Sequence, residues 1–244
     1  MMQFEPWQWA LFAVAGILVG IAKTGVAGLG MLSVVIFSRI IGAKQATGVV
    51  LPLLCLADIV AVLSYRQHAN WRHLWHLFPY TAAGVLLGYF AMSRIDDRQA
   101  SLLIGVIILS LVAVHLWRKW RGGHEVDHGA WFAPVIGVLA GFTTLVANAA
   151  GPLMAIYFLA MRLPKMEYVG TAAVFFLLMN FFKVPFMVHL GLINSSSFQL
   201  NVALAPAVLV GTLVGRRLLV HINQKAFENI ALTLSAVAGA KLLF

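Results

Sequence analysis

The chain has 244 residues, of which 61% are hydrophobic and only 10% are charged. Soluble domains have roughly 45–50% apolar and about 25% charged residues, so this composition excludes a soluble globular protein and a disordered one. A membrane-spanning helix takes roughly 20 residues, so the length allows about eight to ten membrane segments. The net charge of +9 lies mostly in short loops, where it sets membrane topology and does not predict a nucleic-acid partner.

Apolar runs follow one another along the chain with short loops between them. The long runs predict helices, because backbone groups in lipid must bond internally and the alternating pattern of barrel strands is absent. The N-terminus has no Lys or Arg for a basic signal region, so we expect the first run to remain in the protein. The expected segments are Trp7–Ala22, Met31–Ile41, Thr47–Tyr65, Leu74–Met92, Gln99–Trp117, Trp131–Phe142, Pro152–Met161, Tyr168–Leu190, Phe198–Val220 and Ala226–Leu243.

The two halves of the sequence repeat. At a spacing of 121 residues, six positions of the first half match Gly137, Gly141, Gly151, Leu153, Phe158 and Lys165. At a spacing of 127 residues, four further positions match Pro206, Gly211, Gly215 and Ile222. We therefore expect a duplicated chain, with a first membrane repeat over 1–122, a polar linker over 123–130 and a second membrane repeat over 131–244.

The first segment of each half is interrupted, at residues 23–30 and again at residues 143–152. Irregular backbone at membrane depth is tolerated only where it is buried in protein or lines a wet cavity. Paired interruptions in two halves are the best sequence indication of a transporter site. The alternative is a pair of kinked packing helices, in which glycine permits close approach.

These interruptions resemble those of the sulfite exporter TauE/SafE family, also called the toluene-sulfonate uptake permease family. The resemblance rests on two Gly-rich breaks. The first comprises Gly16, Gly20, Lys23-Thr24-Gly25 and Gly28-Leu29-Gly30, and the second Gly137, Gly141, Thr143-Thr144, Asn148 and Gly151-Pro152. It implies an all-helical transporter, rather than an enzyme, that moves sulfur oxyanions or organosulfonates across the bacterial inner membrane in either direction.

Ammonium, hydroxyl and amide groups lie at both breaks and in the middle of the segment Tyr168–Leu190. Together with the N–H groups of half-helix ends, they predict an anion site. The expected substrate-binding residues are Lys23, Thr24, Gly25, Gly28, Gly30, Thr143, Thr144, Asn148, Gly151, Asn180 and Lys183. Alternatively, Lys23 extends to the membrane surface and the threonines bond to local carbonyls.

Asp58 lies 122 residues before Asn180, so the two residues occupy equivalent positions in the two halves. Its carboxylate is expected to pair with a lysine or to couple transport to protons. A further alternative is an integral-membrane enzyme or accessory subunit. Asp58 is the one deep carboxylate of the sequence, which argues against catalysis and against a cation transporter. A passive anion channel fits the charge pattern almost as well as a carrier.

The histidines His68, His73 and His76 have a spacing that could bind zinc, but neighbouring tryptophans favour a membrane-surface loop. We therefore expect no metal and no cofactor. The expected partners are a small anionic substrate and the lipid bilayer, and a homodimer is a further possibility.

Two topologies place both termini on the outer side. If each broken segment crosses the membrane once, nine Lys and Arg residues lie inside and six outside. If each is a hairpin, the numbers become ten and five, which the positive-inside rule favours. The hairpin alternative gives inverted repeats, which suit alternating access about a midplane site.

Overall fold

The computed structural model describes residues 4–25, 29–92, 94, 96–120 and 131–241, and the predicted linker and Gly28 lie outside these residues. The described part of the chain contains α-helices and one short 3-10 helix, Arg66–His68, and no strand. This confirms the all-helical prediction. The α-helices are α1 (Pro6–Thr24), α2 (Gly30–Ile41), α3 (Ala43–Tyr65), α4 (Trp71–Ala91), α5 (Asp97–Trp120), α6 (Phe132–Ala147), α7 (Ala150–Ala160), α8 (Lys165–His189), α9 (Ser195–His221) and α10 (Gln224–Lys241).

Four helical stretches are long and apolar enough to cross a bilayer: Pro6–Thr24, Lys44–His68, Lys165–His189 and Ser195–His221. Many large apolar side chains on the helices face outward, including Val220, which is 79% exposed. An outer surface of this kind is stable in lipid and would aggregate in water. The chain is therefore a multi-pass membrane protein.

The chain reverses direction at the first interruption. The Phe12 ring in α1 lies 5.0 Å from the Phe37 ring in α2. Near the break, a Cβ built on Gly30 at the start of α2 would contact Ala22 near the end of α1. The start of α2 thus lies beside the end of α1, so these two helices form an antiparallel hairpin.

The second interruption has the same form. Asn148 ends α6 in a left-handed conformation with φ of 51°, which asparagine tolerates better than most residues. The Phe132 ring at the start of α6 stacks on the Tyr157 ring of α7 at 5.8 Å. The helices α6 and α7 therefore make a second antiparallel hairpin.

Each hairpin packs against a helix from the other half of the chain: α1 on α9, and α6 on α4. Glycines permit this contact, since a Cβ at Gly20 would overlap the α9 backbone and a Cβ at Gly211 would overlap the α1 backbone. Gly84 and Gly141 do the same between α4 and α6. Small residues at such interfaces let helix backbones approach closely.

The helices α3 and α8 form the centre of the molecule and run antiparallel. Gly48 near the start of α3 contacts Leu192 just after α8, whereas Gly170 near the start of α8 contacts Tyr65 at the end of α3. Asp58 and Asn180 meet between these two contacts. The link between α3 and α4 consequently lies beside the first turns of α8.

Candidate functional site

A cavity of about 90 Å³ lies between α3 and α8, where the breaks of the two hairpins approach one another. It is larger than one water molecule requires. Much of its wall is apolar, but a cluster of polar side chains and three glycines lies at the breaks. These residues are Lys23, Asp58, Thr144, Asn148, Asn180, Gly25, Gly30 and Gly151.

Lys23 and Asp58 form an ion pair in the cavity wall. The ammonium lies 2.9 Å from Asp58 Oδ1, and the two side chains are 13% and 0% exposed. The alignment is that of an ion pair rather than of a directed hydrogen bond. Asn180 Nδ2 donates to Asp58 Oδ2 at 2.5 Å. Lys23 therefore turns inward to a partner and does not extend to the membrane surface.

The Lys23 ammonium also lies 4.1 Å from the centre of the Phe176 ring. A cation over an aromatic face is attracted by the ring quadrupole, more strongly when both groups are shielded from water. Phe176 is part of the cavity wall. The ring and the carboxylate together hold the ammonium at the edge of the cavity.

Lys183 is fully buried and has no carboxylate within hydrogen-bonding distance among the residues that the structure describes. Its ammonium donates to the Thr144 carbonyl at 3.0 Å, to Thr144 Oγ1 at 2.9 Å and to Asn148 Oδ1 at 2.7 Å. Lys183 is not part of the cavity wall. It therefore lies behind Thr144 and Asn148 and orients them.

This orientation leaves donors available to the cavity. An ammonium only donates, so the Thr144 hydroxyl and the Asn148 amide must present oxygen lone pairs to Lys183. Asn148 Nδ2 donates one hydrogen to the Thr47 carbonyl, at 2.9 Å, and its second hydrogen remains available. Among the described residues the Thr144 hydroxyl has no acceptor, so its proton can be donated to a ligand.

Two helix N-termini complete the site. The residues before α2 and α7, Leu29 and Ala149, make no side-chain hydrogen bond to the first turn. The first N–H groups of a helix have no intrahelical partner and carry a partial positive charge. A Cβ at Gly151 would meet nothing within 4 Å, so the cavity is open at the α7 terminus.

Two further predicted residues, Thr24 and Thr143, lie outside the cavity wall. The Thr24 hydroxyl donates to the Gly20 and Thr212 carbonyls, both at 2.9 Å, and so connects α1 to α9. The Thr143 hydroxyl donates locally to the Ala140 carbonyl at 3.2 Å. Neither threonine lines the cavity. Gly28 lies outside the described residues.

Several aromatic residues of the cavity wall were not anticipated from the sequence. They are Phe158, Tyr168, Phe176 and Phe227. Nothing in the sequence distinguishes these rings from others in the same apolar helices. Only the rotation of each helix determines which rings face inward.

The histidines near the start of α4 were considered as zinc ligands, and the structure gives His73 another contact. His73 Nδ1 lies 3.0 Å from the Tyr157 hydroxyl, and this contact fixes α4 to α7. Within the described ranges, no group of three or more His, Cys, Asp or Glu residues is placed to hold a metal ion.

Comparisons with known proteins agree with the resemblance found in the sequence. The model of the sulfite exporter TauE/SafE family matches residues 12–242, a range that begins within α1 and includes both breaks. A protein of Comamonas testosteroni, described as probable inner membrane transporter protein TsaS, is 26% identical over 184 residues, which are 74% of each chain. No solved structure matches the chain.

Proposed function

The chain belongs to the sulfite exporter TauE/SafE family and is a membrane transporter, and from this premise we propose that it carries a small anion. The proposed substrate is a sulfur oxyanion such as sulfite, or an organosulfonate. The proposed location is the bacterial inner membrane, with both termini on the outer side. The substrate would bind in the cavity at the two hairpin breaks.

The observation that carries the proposal is the environment of Lys183. Lys23 and Asp58 balance each other, whereas Lys183 is surrounded by neutral acceptors. If all three groups are ionised, the buried site has one uncompensated positive charge. A charge of this kind is costly at membrane depth, and an anion in the adjacent cavity would offset the cost.

The donors around the cavity support the same conclusion. Thr144, Asn148 and the first turns of α2 and α7 offer neutral hydrogen-bond donors beside the Lys23 ammonium. Oxyanions accept such bonds from hydroxyl, amide and backbone N–H groups. The Lys183 contacts hold two of these donors in place before a ligand arrives, which reduces the entropy lost on binding.

We propose that transport occurs by alternating access between inverted repeats. The equivalent helices α3 and α8 run antiparallel, and each broken segment is a hairpin that returns toward its starting side. Asp58 and Asn180, which are equivalent in the sequence repeat, meet at the centre. Repeats of opposite orientation around a central site allow the two sides to open in turn.

Asp58 is the proposed coupling residue. An anion that approaches Lys23 meets the Asp58 carboxylate in the same wall, so the two negative groups compete for one ammonium. Protonation of Asp58 would remove this competition. We therefore propose that one proton enters the site with the anion.

The proposal is tested by binding of anions to the purified protein. A ligand that binds only the folded state raises its stability, by about 2.7 kcal/mol at a hundredfold excess over Kd. Thermal unfolding is measured with sulfite, sulfate, thiosulfate, a sulfonate, a carboxylate, and sodium and zinc salts. We expect stabilisation by a sulfur anion. A response to cations alone would contradict the proposal.

The adjacent threonines provide a matched pair of variants. Thr144→Val removes a hydroxyl that faces the cavity, and should weaken anion binding about tenfold or more, since a hydrogen bond to a charged group contributes roughly 1.5–3 kcal/mol. Thr143→Val removes a hydroxyl that bonds only to α6, and should leave the anion Kd unchanged. Equal effects of the two substitutions would argue against the proposed site.

A further inference from the structure

The cavity extends well beyond the polar cluster. Its wall follows α8 from Asn180 back to Tyr168. These residues are twelve positions apart, which corresponds to about 18 Å along a helix. A small oxyanion cannot touch both ends at once. We call the part near Tyr168 the passage, because it extends from the midplane site toward the membrane side where α8 begins.

The wall of this passage is mainly apolar. It is formed by Val169, Ala172 and Ala173 of α8, with Phe158 of α7 and Phe227 of α10. An oxyanion that leaves its hydrogen-bond donors for such surroundings loses solvation, which is costly without a replacement. Tyr168, whose side chain carries a hydroxyl, also belongs to this part of the wall.

The Tyr168 hydroxyl differs from those of two other deeply buried tyrosines. Tyr65 donates to the Thr24 carbonyl at 2.9 Å, and the Tyr157 hydroxyl contacts His73. Tyr168 is only 4% exposed, yet its hydroxyl has no hydrogen-bond partner in the described part of the chain. Buried tyrosine hydroxyls usually find a partner. This one lies in a cavity wall, so a ligand can provide the partner.

The position of this hydroxyl is fixed by the neighbouring rings. The Tyr168 ring makes edge contacts with Phe158 at 5.1 Å and with Phe227 at 4.9 Å. Such contacts on two sides restrict rotation of the side chain and hold the hydroxyl where it is. The donor is thus preorganised, as are Thr144 and Asn148 at the other end.

We propose that Tyr168 is a second anion-binding residue, which donates a hydrogen bond to the oxyanion as it passes between the midplane site and the side of the membrane where α8 begins. This inference rests on the proposed function. It assigns Tyr168 a role in movement of the anion and none in its affinity for the midplane site.

The test compares Tyr168→Phe with Tyr89→Phe, using sulfite and p-toluenesulfonate as probes. The Tyr89 hydroxyl is hydrogen-bonded to His189, and Tyr89 is not part of the cavity wall. Tyr89→Phe is therefore a control for the removal of a tyrosine hydroxyl. For Tyr168→Phe we expect transport into proteoliposomes to slow by about tenfold or more, with the anion Kd in detergent within twofold of the native value. Tyr89→Phe should match the native protein in both measurements.

The outcomes separate this inference from the proposed function. If the native protein neither binds nor transports any of these anions, the proposed function fails. If the native protein transports them and Tyr168→Phe does so at the same rate, only the role of Tyr168 fails. Equal losses of binding and transport would place the hydroxyl at the midplane site and overturn the inference.

Labelling tests the passage without changing Tyr168. Ala172→Cys places a thiol in the passage wall, one turn after Tyr168, while the natural Cys55 is buried and outside the cavity wall. We expect a small anionic thiosulfonate reagent to label Ala172→Cys and not the native chain, and sulfite to slow the labelling. Absence of labelling would show that anions do not enter this passage.

Discussion

Under the proposed function, an anion that enters the cavity must compete with the Lys23–Asp58 ion pair. Both charges lie in the cavity wall, and Asp58 is completely buried. Replacing the carboxylate as the partner of Lys23 would leave Asp58 as an unpaired buried charge, which is costly. A proton from solution would neutralise it. Binding of an anion should therefore weaken as pH rises, because the proton becomes scarcer.

Asp58→Asn should reduce this dependence. The asparagine is neutral at every pH, so the variant should bind a sulfonate at least as tightly as the native protein, with a Kd that changes less between pH 5 and pH 8. A sulfonate is the appropriate probe because its own charge is constant over this range. The measurement is the Kd at each pH, together with proton uptake on binding. If the native protein and the variant have the same pH profile, Asp58 is not the coupling residue.

Individual residues also show how far sequence reasoning extends. The types of residue at the candidate site were predictable, because polar groups at the breaks of apolar helices are costly at membrane depth unless they line a cavity or have partners. Their individual roles were not. Thr143 and Thr144 are adjacent, and only the rotation of α6, fixed where Gly141 packs on α4, directs one hydroxyl inward. Similarly, the placement of Lys183 behind the wall depends on contacts with α6.

At the scale of elements, the glycines at the two breaks serve different purposes. A Cβ at Gly25 would overlap the backbone of Gly215 in α9, whereas a Cβ at Gly151 would point into open space at the cavity. The first glycine permits helices to pack, and the second leaves room for a ligand. The sequence alone does not distinguish these two roles.

Gly25→Ala and Gly151→Ala should therefore fail in different ways. The first substitution should lower the stability of the folded protein by about 1–3 kcal/mol, because the end of α1 must move away from α9. The second should leave the unfolding temperature unchanged and alter the anion Kd. Thermal unfolding in detergent and anion binding are measured for both variants. A stable Gly25→Ala protein would contradict the packing role of that glycine.

At the scale of the whole molecule, contacts between loops indicate how the chain crosses the membrane, because loops in contact lie on the same side. Gly170, near the start of α8, contacts the segment that joins α3 to α4. Asn70 in that segment also donates its N–H to Thr171, at 2.8 Å. The link between α3 and α4 and the start of α8 should therefore lie on the same side of the membrane. Both topologies considered from the sequence place the start of α8 inside.

Labelling of single-cysteine variants tests this topology. We expect Gln67→Cys, in the link between α3 and α4, to be labelled only from the inside, together with Lys225→Cys. Glu5→Cys near the N-terminus should be labelled only from the outside. All three side chains are exposed, and the natural Cys55 is buried. Labelling of Gln67→Cys from the outside would favour broken segments that cross the membrane once.

The elements of the fold were largely predictable, since apolar runs and their interruptions are local features of the sequence. The pairing of the elements was not. The helix α1 packs on α9, and the Thr24 hydroxyl reaches the Thr212 carbonyl, 188 residues away. Contacts at such separation depend on surface shape along whole helices, which a repeat of single residues does not specify.

The exchange of partners between the halves also has a consequence for biosynthesis. The glycine face of α1 enters the membrane early and has no final partner until α9 has been made. The first hairpin is therefore expected to lack its contact with α9 while most of the chain is synthesised. A ribosome that stops before α9 would leave an unassembled set of helices, open to membrane quality control, rather than a smaller transporter.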